Sequence, residues 1–306
     1  MPLERVLMVV KTYPNPSRKY GELTCTAGIR LRDNSWVRIY PYPFRLLDYD
    51  YRFRKYDILE LPLVKAPQDP RPDSYRLEDH TKIRVLGNIP PDKHWEERMR
   101  YIRPTVMGST EEFEAQMVRR ERLAGASLQG LFGDEAQQGG KRVVWGRTIA
   151  VIAAQQASAR LEAEYLGEDW PPEAKAKLEA PAFWEEGLFE GAEMSPLMKR
   201  PKELLRFCPY RFRLTFTDLA GRTVRKVVTD WEIYSLYFKE ERRLESREKA
   251  LESVRYKVER EIFAPDRETF LVVGSIHHHY ARKDMYAVIG FIWPKRGLQT
   301  PLFSNP

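Results

Sequence analysis

The stretch that decides the fold is Arg211-Phe212-Arg213-Leu214-Thr215-Phe216-Thr217, in which polar and apolar residues alternate. The turn sequence Leu219-Ala220-Gly221-Arg222 follows, and a β-branched run at 223–229 comes after it. Alternation on both sides of a glycine-containing connection predicts a β-hairpin. The hairpin is the start of an ordered series of elements that continues to residue 293.

From residue 230 onward the apolar period becomes helical. Tyr237, Leu244, Leu251 and Val258 recur every seven residues among Glu, Lys and Arg, which predicts one long helix over 231–263. Two further segments, 270–274 and 286–293, are rich in β-branched and aromatic residues and predict strands. A helix between the third and fourth strands of a five-stranded barrel is the layout of an OB-fold, which binds oligonucleotides or oligosaccharides.

The N-terminal third repeats this order, with strands predicted at 5–12, 23–32, 36–40, 57–64 and 83–86. The predicted fold class is therefore mainly β with inserted helices (α+β), built as two OB-like five-stranded barrels. We expect an N-terminal barrel with a helical extension at 1–135 and a second barrel at 141–306, separated by a glycine- and glutamine-rich break. The second barrel is predicted to begin with a strand at 148–154 and a short helix at 158–165. An acidic insertion at 166–195 follows.

Composition restricts the functional classes only partly. The 306-residue chain has 51 Lys and Arg against 44 Asp and Glu, a charge of +7 that permits binding to a polyanion without requiring it. Cys25 and Cys208 are far apart in the chain, which argues against a disulfide framework or a cysteine-based zinc site. No run approaches the roughly 18 apolar residues that a membrane span needs. These features predict a cytoplasmic protein without a membrane partner.

Basic and aromatic residues occur together on the predicted strands and on the loop between the first two strands. Cationic groups neutralise phosphates and flat rings stack on bases, which is the combination that single-stranded nucleic acid requires. The predicted nucleic-acid-binding residues are Lys11, Tyr13, Arg18, Lys19, Tyr20, Arg30, Arg32, Trp36, Arg38, Arg211 and Arg213. The alternative is that the arginines simply face outward on half-buried strands while the aromatic residues belong to the core.

Several short motifs carry a family resemblance. They are Lys11-Thr12-Tyr13-Pro14, Cys25-Thr26-Ala27-Gly28-Ile29, Trp36-Val37-Arg38-Ile39-Tyr40-Pro41, Lys55-Tyr56-Asp57, Pro209-Tyr210-Arg211-Phe212 and Asp230-Trp231-Glu232. In this order the motifs resemble the dual OB-containing domain family. The resemblance implies a bacterial cytoplasmic protein of two OB-folds, linked with nucleic-acid handling and anti-phage defence. It implies no settled enzymatic activity.

Three functional hypotheses follow. The first is a non-enzymatic protein that binds nucleic acid, preferably single-stranded, without cofactor or metal, and that has a partner protein encoded nearby. The second is a metal-dependent nuclease that uses Asp57, Asp69 or Asp73, because clustered carboxylates hold Mg²⁺. The third is a small-ligand or protein-interaction sensor whose loops contact a partner protein encoded nearby. No catalytic residue is assigned, since no Walker loop, dinucleotide fingerprint, nucleophile elbow or zinc-ligand pattern occurs.

Overall fold

The computed structural model describes residues 3–18, 21–122, 141–179, 201, 203–276 and 285–297. The described strands are β1 (Glu4–Lys11), β2 (Asn15–Ser17), β3 (Gly21–Arg30), β4 (Trp36–Tyr42), β5 (Asp57–Leu61), β6 (Leu63–Lys65), β7 (Ser74–Leu77), β8 (Arg84–Asn88), β9 (Val106–Met107), β10 (Val118–Arg122), β11 (Lys141–Trp145), β12 (Ile149–Ala154), β13 (Arg160–Tyr165), β14 (Tyr210–Thr217), β15 (Thr223–Val227), β16 (Thr269–Ser275) and β17 (Tyr286–Ile292). The described helices are α1 (Glu96–Ile102), α2 (Thr110–Met117), α3 (Pro172–Glu179), α4 (Trp231–Leu244) and α5 (Arg247–Tyr256). The prediction of a mainly β protein with inserted helices is confirmed.

The N-terminal strands form one curled sheet in the order β6-β7-β4-β3-β1-β5-β8, with β2 paired to β3. Neighbouring strands β1, β3 and β4 are antiparallel, as expected for segments joined by short turns. The concave side of this sheet encloses an apolar cluster that includes Met8, Ile39, Tyr42 and Phe53.

The C-terminal strands form two smaller sheets, β17-β16-β12-β9 and β13-β14-β15. Single bridges between Ala154 and Asp218 and between Val228 and Val288 connect them. Their inner faces and the apolar faces of α4 and α5 share a second core, which includes Phe212.

A third apolar layer lies between the N-terminal and C-terminal sheets. Leu7 and Ile29 of the first sheet pack there with Val151 and Val272 of the second. Strands β1, β3, β16 and β17 are consequently buried on both faces. This explains why the sequences of β1, β16 and β17 read as nearly continuous apolar runs.

Two predictions about secondary structure within residues 141–306 are wrong. The continuous helix expected over 231–263 is interrupted at Glu245, which has a left-handed φ of 49°, and Ser246 then caps a new helix by accepting a hydrogen bond from the Lys249 amide. A π-helical turn, Lys257–Ile262, completes the segment. The helix expected at 158–165 is strand β13, because the alternation of Leu161 with polar neighbours serves the sheet core.

The acidic insertion predicted at 166–195 contains helix α3, and its residues 180–195 lie outside the described part of the chain. The glycine- and glutamine-rich break predicted at 133–140 also lies outside it. Within the described residues, no helix combines the length and apolar character needed to cross a membrane.

Candidate nucleic-acid interface

Lys11, the last residue of β1, places its ammonium in an aromatic box formed by Phe44 and Trp231 and not at an open surface. The Nζ of Lys11 lies 4.1 Å from the ring centroid of Phe44 and 4.7 Å from that of Trp231. Burial, together with the nearby ammonium of Lys55, lowers the pKa of Lys11 to about 8, although the carboxylate of Glu232 acts in the opposite direction.

The tyrosine predicted to stack on bases stacks on the protein. The ring of Tyr13 lies 4.7 Å from that of Tyr234 at an interplanar angle of 15°, and its hydroxyl donates a hydrogen bond to the carbonyl of Arg206. Of the other residues predicted in this loop, Arg18 is exposed, and Lys19 and Tyr20 lie outside the described residues.

The predicted residues on β3 and β4 are buried. Trp36 belongs to the layer between the sheets. The guanidinium of Arg30 lies 4.5 Å from the ring centroid of Tyr75, and its Nε is 3.6 Å from the Glu4 carboxylate. Arg32, beside them, is exposed and lies 3.2 Å from the same carboxylate.

Arg38 connects the two halves of the molecule. Only 3% of its surface is exposed, and its Nη2 donates to the carbonyl of Thr148 at 3.3 Å. The hydroxyl of Thr148 donates to the carboxylate of Asp73. The burial of Arg30, Trp36 and Arg38 means that these residues do not form the open basic and aromatic face predicted from the strand pattern.

A buried ion pair that sequence reasoning did not find lies beside Lys11. The ammonium of Lys55 contacts the carboxylates of Asp230 at 2.7 Å and Glu232 at 2.9 Å. Although burial opposes the charge, these carboxylates raise the pKa of Lys55. A backbone bridge between Thr12 and Asp230 joins the end of β1 to the segment that carries these carboxylates. The Lys55-Tyr56-Asp57 and Asp230-Trp231-Glu232 motifs were visible in the sequence, but nothing in it indicated their contact.

The three aspartates of the nuclease hypothesis are each bound to other protein groups. Asp57 accepts from the Asn88 amide at 2.7 Å, and Asp69 forms an ion pair with Arg71. Although burial raises the pKa of Asp69, the hydrogen bonds from Arg71 have the larger combined effect and lower this pKa to about 2. Asp73 accepts from Thr148, as described above. Within the described ranges, no group of three or more His, Cys, Asp or Glu side chains is placed to hold a metal ion.

The two predicted arginines of the second half lie on a different kind of surface. We use "arginine face" for the outer side of β13-β14-β15, which carries Arg160, Arg211, Arg213 and Arg225 with Glu162 and Glu164. Glu164 contacts the guanidinium groups of Arg211 at 3.6 Å and Arg213 at 3.1 Å, and Glu162 contacts Arg225 at 2.5 Å. Arg160 is 79% exposed. Four guanidinium groups therefore share two carboxylates at a solvent-facing surface.

A second basic element is the antiparallel pair of β10 and β11, which we call the basic ribbon. Its ten positions include Arg119, Arg120, Arg122, Lys141 and Arg142 against the single acidic residue Glu121. The pair forms a sheet of its own. The charged sequence at 111–123 predicts a surface helix, and this prediction is wrong for its second half: α2 ends at Met117 and residues 118–122 form strand β10.

Comparisons with known protein families divide the chain in two. A model described as "Domain of unknown function (DUF8758)" matches residues 2–104, and another described as "Domain of unknown function (DUF8757)" matches residues 134–306. No curated protein matches the chain.

Proposed function

This chain belongs to the DUF8757 family, and from its surface chemistry we propose that it is a nucleic-acid-binding protein. The observation that carries the proposal is the arginine face, where four arginines lie with two glutamates on the exposed side of β13-β14-β15. Guanidinium groups form strong, often bidentate hydrogen bonds with phosphate oxygens. The exposed side chains of Arg160 and Arg211, with 79% and 42% of their surface in solvent, are therefore suited to a phosphate backbone.

The proposal includes the finer features of fold and setting expected from the sequence. The separate apolar clusters inside the N-terminal and C-terminal sheets support two OB-like barrels packed against each other. The resemblance to the dual OB-containing domain family supports a place in the bacterial cytoplasm, in anti-phage defence, beside a partner protein encoded nearby.

A preference for single strands has less support than phosphate binding itself. Single-strand binding depends on rings that stack on bases. Tyr13 stacks on Tyr234 and Trp36 is buried between the sheets, so neither ring faces outward. The arginine face contributes phosphate contacts, which single and double strands both offer.

A salt-dependent binding titration tests the proposal. The variant Arg160→Gln/Arg211→Gln/Arg225→Gln removes three cations from the arginine face. The matched control Arg242→Gln/Lys249→Gln/Arg255→Gln removes three exposed cations from α4 and α5. Single- and double-stranded DNA and RNA are titrated at several salt concentrations, and unchanged thermal melting establishes that each variant is folded.

We expect the arginine-face variant to flatten the dependence of log K on log salt by roughly 0.7 per lost contact on a single strand and roughly 0.9 on B-DNA. The control variant should keep the wild-type slope. If the wild-type protein bound no nucleic acid at low salt, the proposal would be overturned. If the two variants lost the same amount from the salt slope, the arginine face would not be the binding surface.

A further inference from the structure

We propose that the basic ribbon, β10 and β11, binds B-form duplex DNA by lying in its major groove. This inference rests on the proposed function, because it names the nucleic acid that the protein takes and a second surface that contacts it. It concerns residues outside those predicted from the sequence to bind nucleic acid.

The first argument is charge. Five basic residues and one acidic residue occupy the ten positions of the ribbon, whereas the arginine face has four arginines against two glutamates. Duplex DNA carries one negative charge per roughly 1.7 Å of its axis, about twice the density along one strand. The most basic element of the described chain is therefore matched to the most densely charged nucleic acid.

The second argument is shape. The register pairs Val118 with Trp145 and Arg122 with Lys141, so five residue pairs form a regular antiparallel ribbon. At about 3.3 Å per residue, its length is on the order of 15 Å. The major groove of B-DNA is roughly 12 Å wide and accepts a two-stranded β-ribbon. The major groove of A-form RNA is deep and narrow and does not admit such an element.

The third argument is that the body of the protein holds the ribbon at its base. Val118 and Trp145 pack against the C-terminal core, and the amide of Gly146 donates to the carbonyl of Met117 at 3.0 Å. The backbones of Gly146 and Gln116 are so close that a Cβ on Gly146 would lie 2.1 Å from the carbonyl oxygen of Gln116. A fixed base reduces the conformational entropy lost when the ribbon binds.

The experiment compares three probes of one sequence: a 20-base-pair DNA duplex, its single strand and the corresponding RNA duplex. The full-length protein is used as wild type, as the ribbon variant Arg119→Gln/Arg120→Gln/Arg122→Gln, and as the control Arg242→Gln/Lys249→Gln/Arg255→Gln. If the ribbon variant does not melt like wild type, Lys141→Gln/Arg142→Gln on the other strand replaces it.

We expect the wild-type protein to bind the DNA duplex at least tenfold more tightly than the RNA duplex. The ribbon variant should lose roughly 2.7 from its salt slope on the DNA duplex, at roughly 0.9 per phosphate contact, while the control loses nothing. Equal binding of the two duplexes, or a wild-type slope in the ribbon variant, would overturn the inference. If the inference failed in this way but the arginine-face variant still had a lower salt slope than wild type, the proposed function would stand. If the wild-type protein bound none of the probes, both the inference and the proposed function would be overturned.

Discussion

Strands β3 and β14 have similar alternating sequences but opposite surroundings. The polar residues of β3, such as Thr24, Thr26 and Arg30, are buried together with its apolar residues. On β14 the apolar residues are buried, while Arg211 and its neighbours on the same side stay partly exposed. The difference shows that alternation tells which residues share a face of a strand, but not whether that face meets water.

The physical reason is that both sides of β3 are covered. Ala27 and Ile29 lie in the layer shared with β12, β16 and β17. Thr26 and Arg30 pair with Ile39 and Val6 on the opposite side, next to the apolar cluster inside the N-terminal sheet, so these polar groups need partners inside the protein. Arg38 finds such a partner in Thr148. The outer side of β14 belongs to the arginine face, where the guanidinium groups keep their contact with solvent.

The largest expected effect comes from unpairing a buried charge between the halves. Lys55→Met leaves the carboxylate of Asp230 buried without its closest cation, the two side chains being 7% and 1% exposed. We expect a loss of about 3–5 kcal/mol in the free energy of unfolding, measured by urea denaturation. The exposed residue Lys82, changed to Met, is the control and should have little effect. A loss below about 1 kcal/mol would show that the pair does not hold the halves together.

A paired glycine substitution tests the contrast between covered and open strands. A Cβ on Gly28 of β3 would lie 2.4 Å from a methyl group of Val6, whereas one on Gly87 of β8 would have nothing within 4 Å. We expect Gly28→Ala to cost about 1–3 kcal/mol through overpacking. Gly87→Ala should leave the unfolding free energy nearly unchanged. Similar values for the two variants would contradict the placement of β3 between two layers.

The aromatic box predicts a pH effect that an exposed lysine would not produce. The pKa of Lys11 is lowered to about 8, below the value of about 10.4 expected in the unfolded chain. Between these values the unfolded state binds more protons than the folded state, so stability should rise with pH; below about 8 both states are protonated and the contribution is constant.

The measurement is the difference in unfolding free energy between the wild-type protein and Lys11→Met at pH 7 and at pH 10. This difference should shift in favour of the wild type at the higher pH. A constant difference would mean that Lys11 titrates as a solvent-exposed amine and belongs with the open surface.

The smallest effect on stability is expected on the arginine face. Arg211 is 42% exposed and contacts Glu164 at 3.6 Å, so Arg211→Gln should change the unfolding free energy by no more than about 0.5 kcal/mol. The same substitution should still lower the salt slope of nucleic-acid binding. A large loss of stability would indicate that this face is covered by structure, like that of β3.

The sequence predicted the strands better than the helices or the site. Strand alternation is local, so β1, β3, β4, β12 and β14–β17 were found near their observed positions. The helix break was missed because Tyr237 and Leu251 keep their seven-residue spacing on either side of Glu245, while the break depends on one left-handed residue and the Ser246 cap. Strand β13 was missed because its short polar sequence fits a helix equally well.

The sequence by itself determined that the chain is mainly β, that its apolar runs are buried strands, and that its arginines are concentrated on a few of them. Only the tertiary structure decided which arginines meet solvent. Packing one sheet against another buried Arg38 and brought Lys55 to Asp230 across 175 positions of the chain. Arg30 is buried within the N-terminal half, against Tyr75 and Glu4. Alternation, charge and helical period are properties of neighbouring residues, whereas exposure depends on what packs against the other side of a strand.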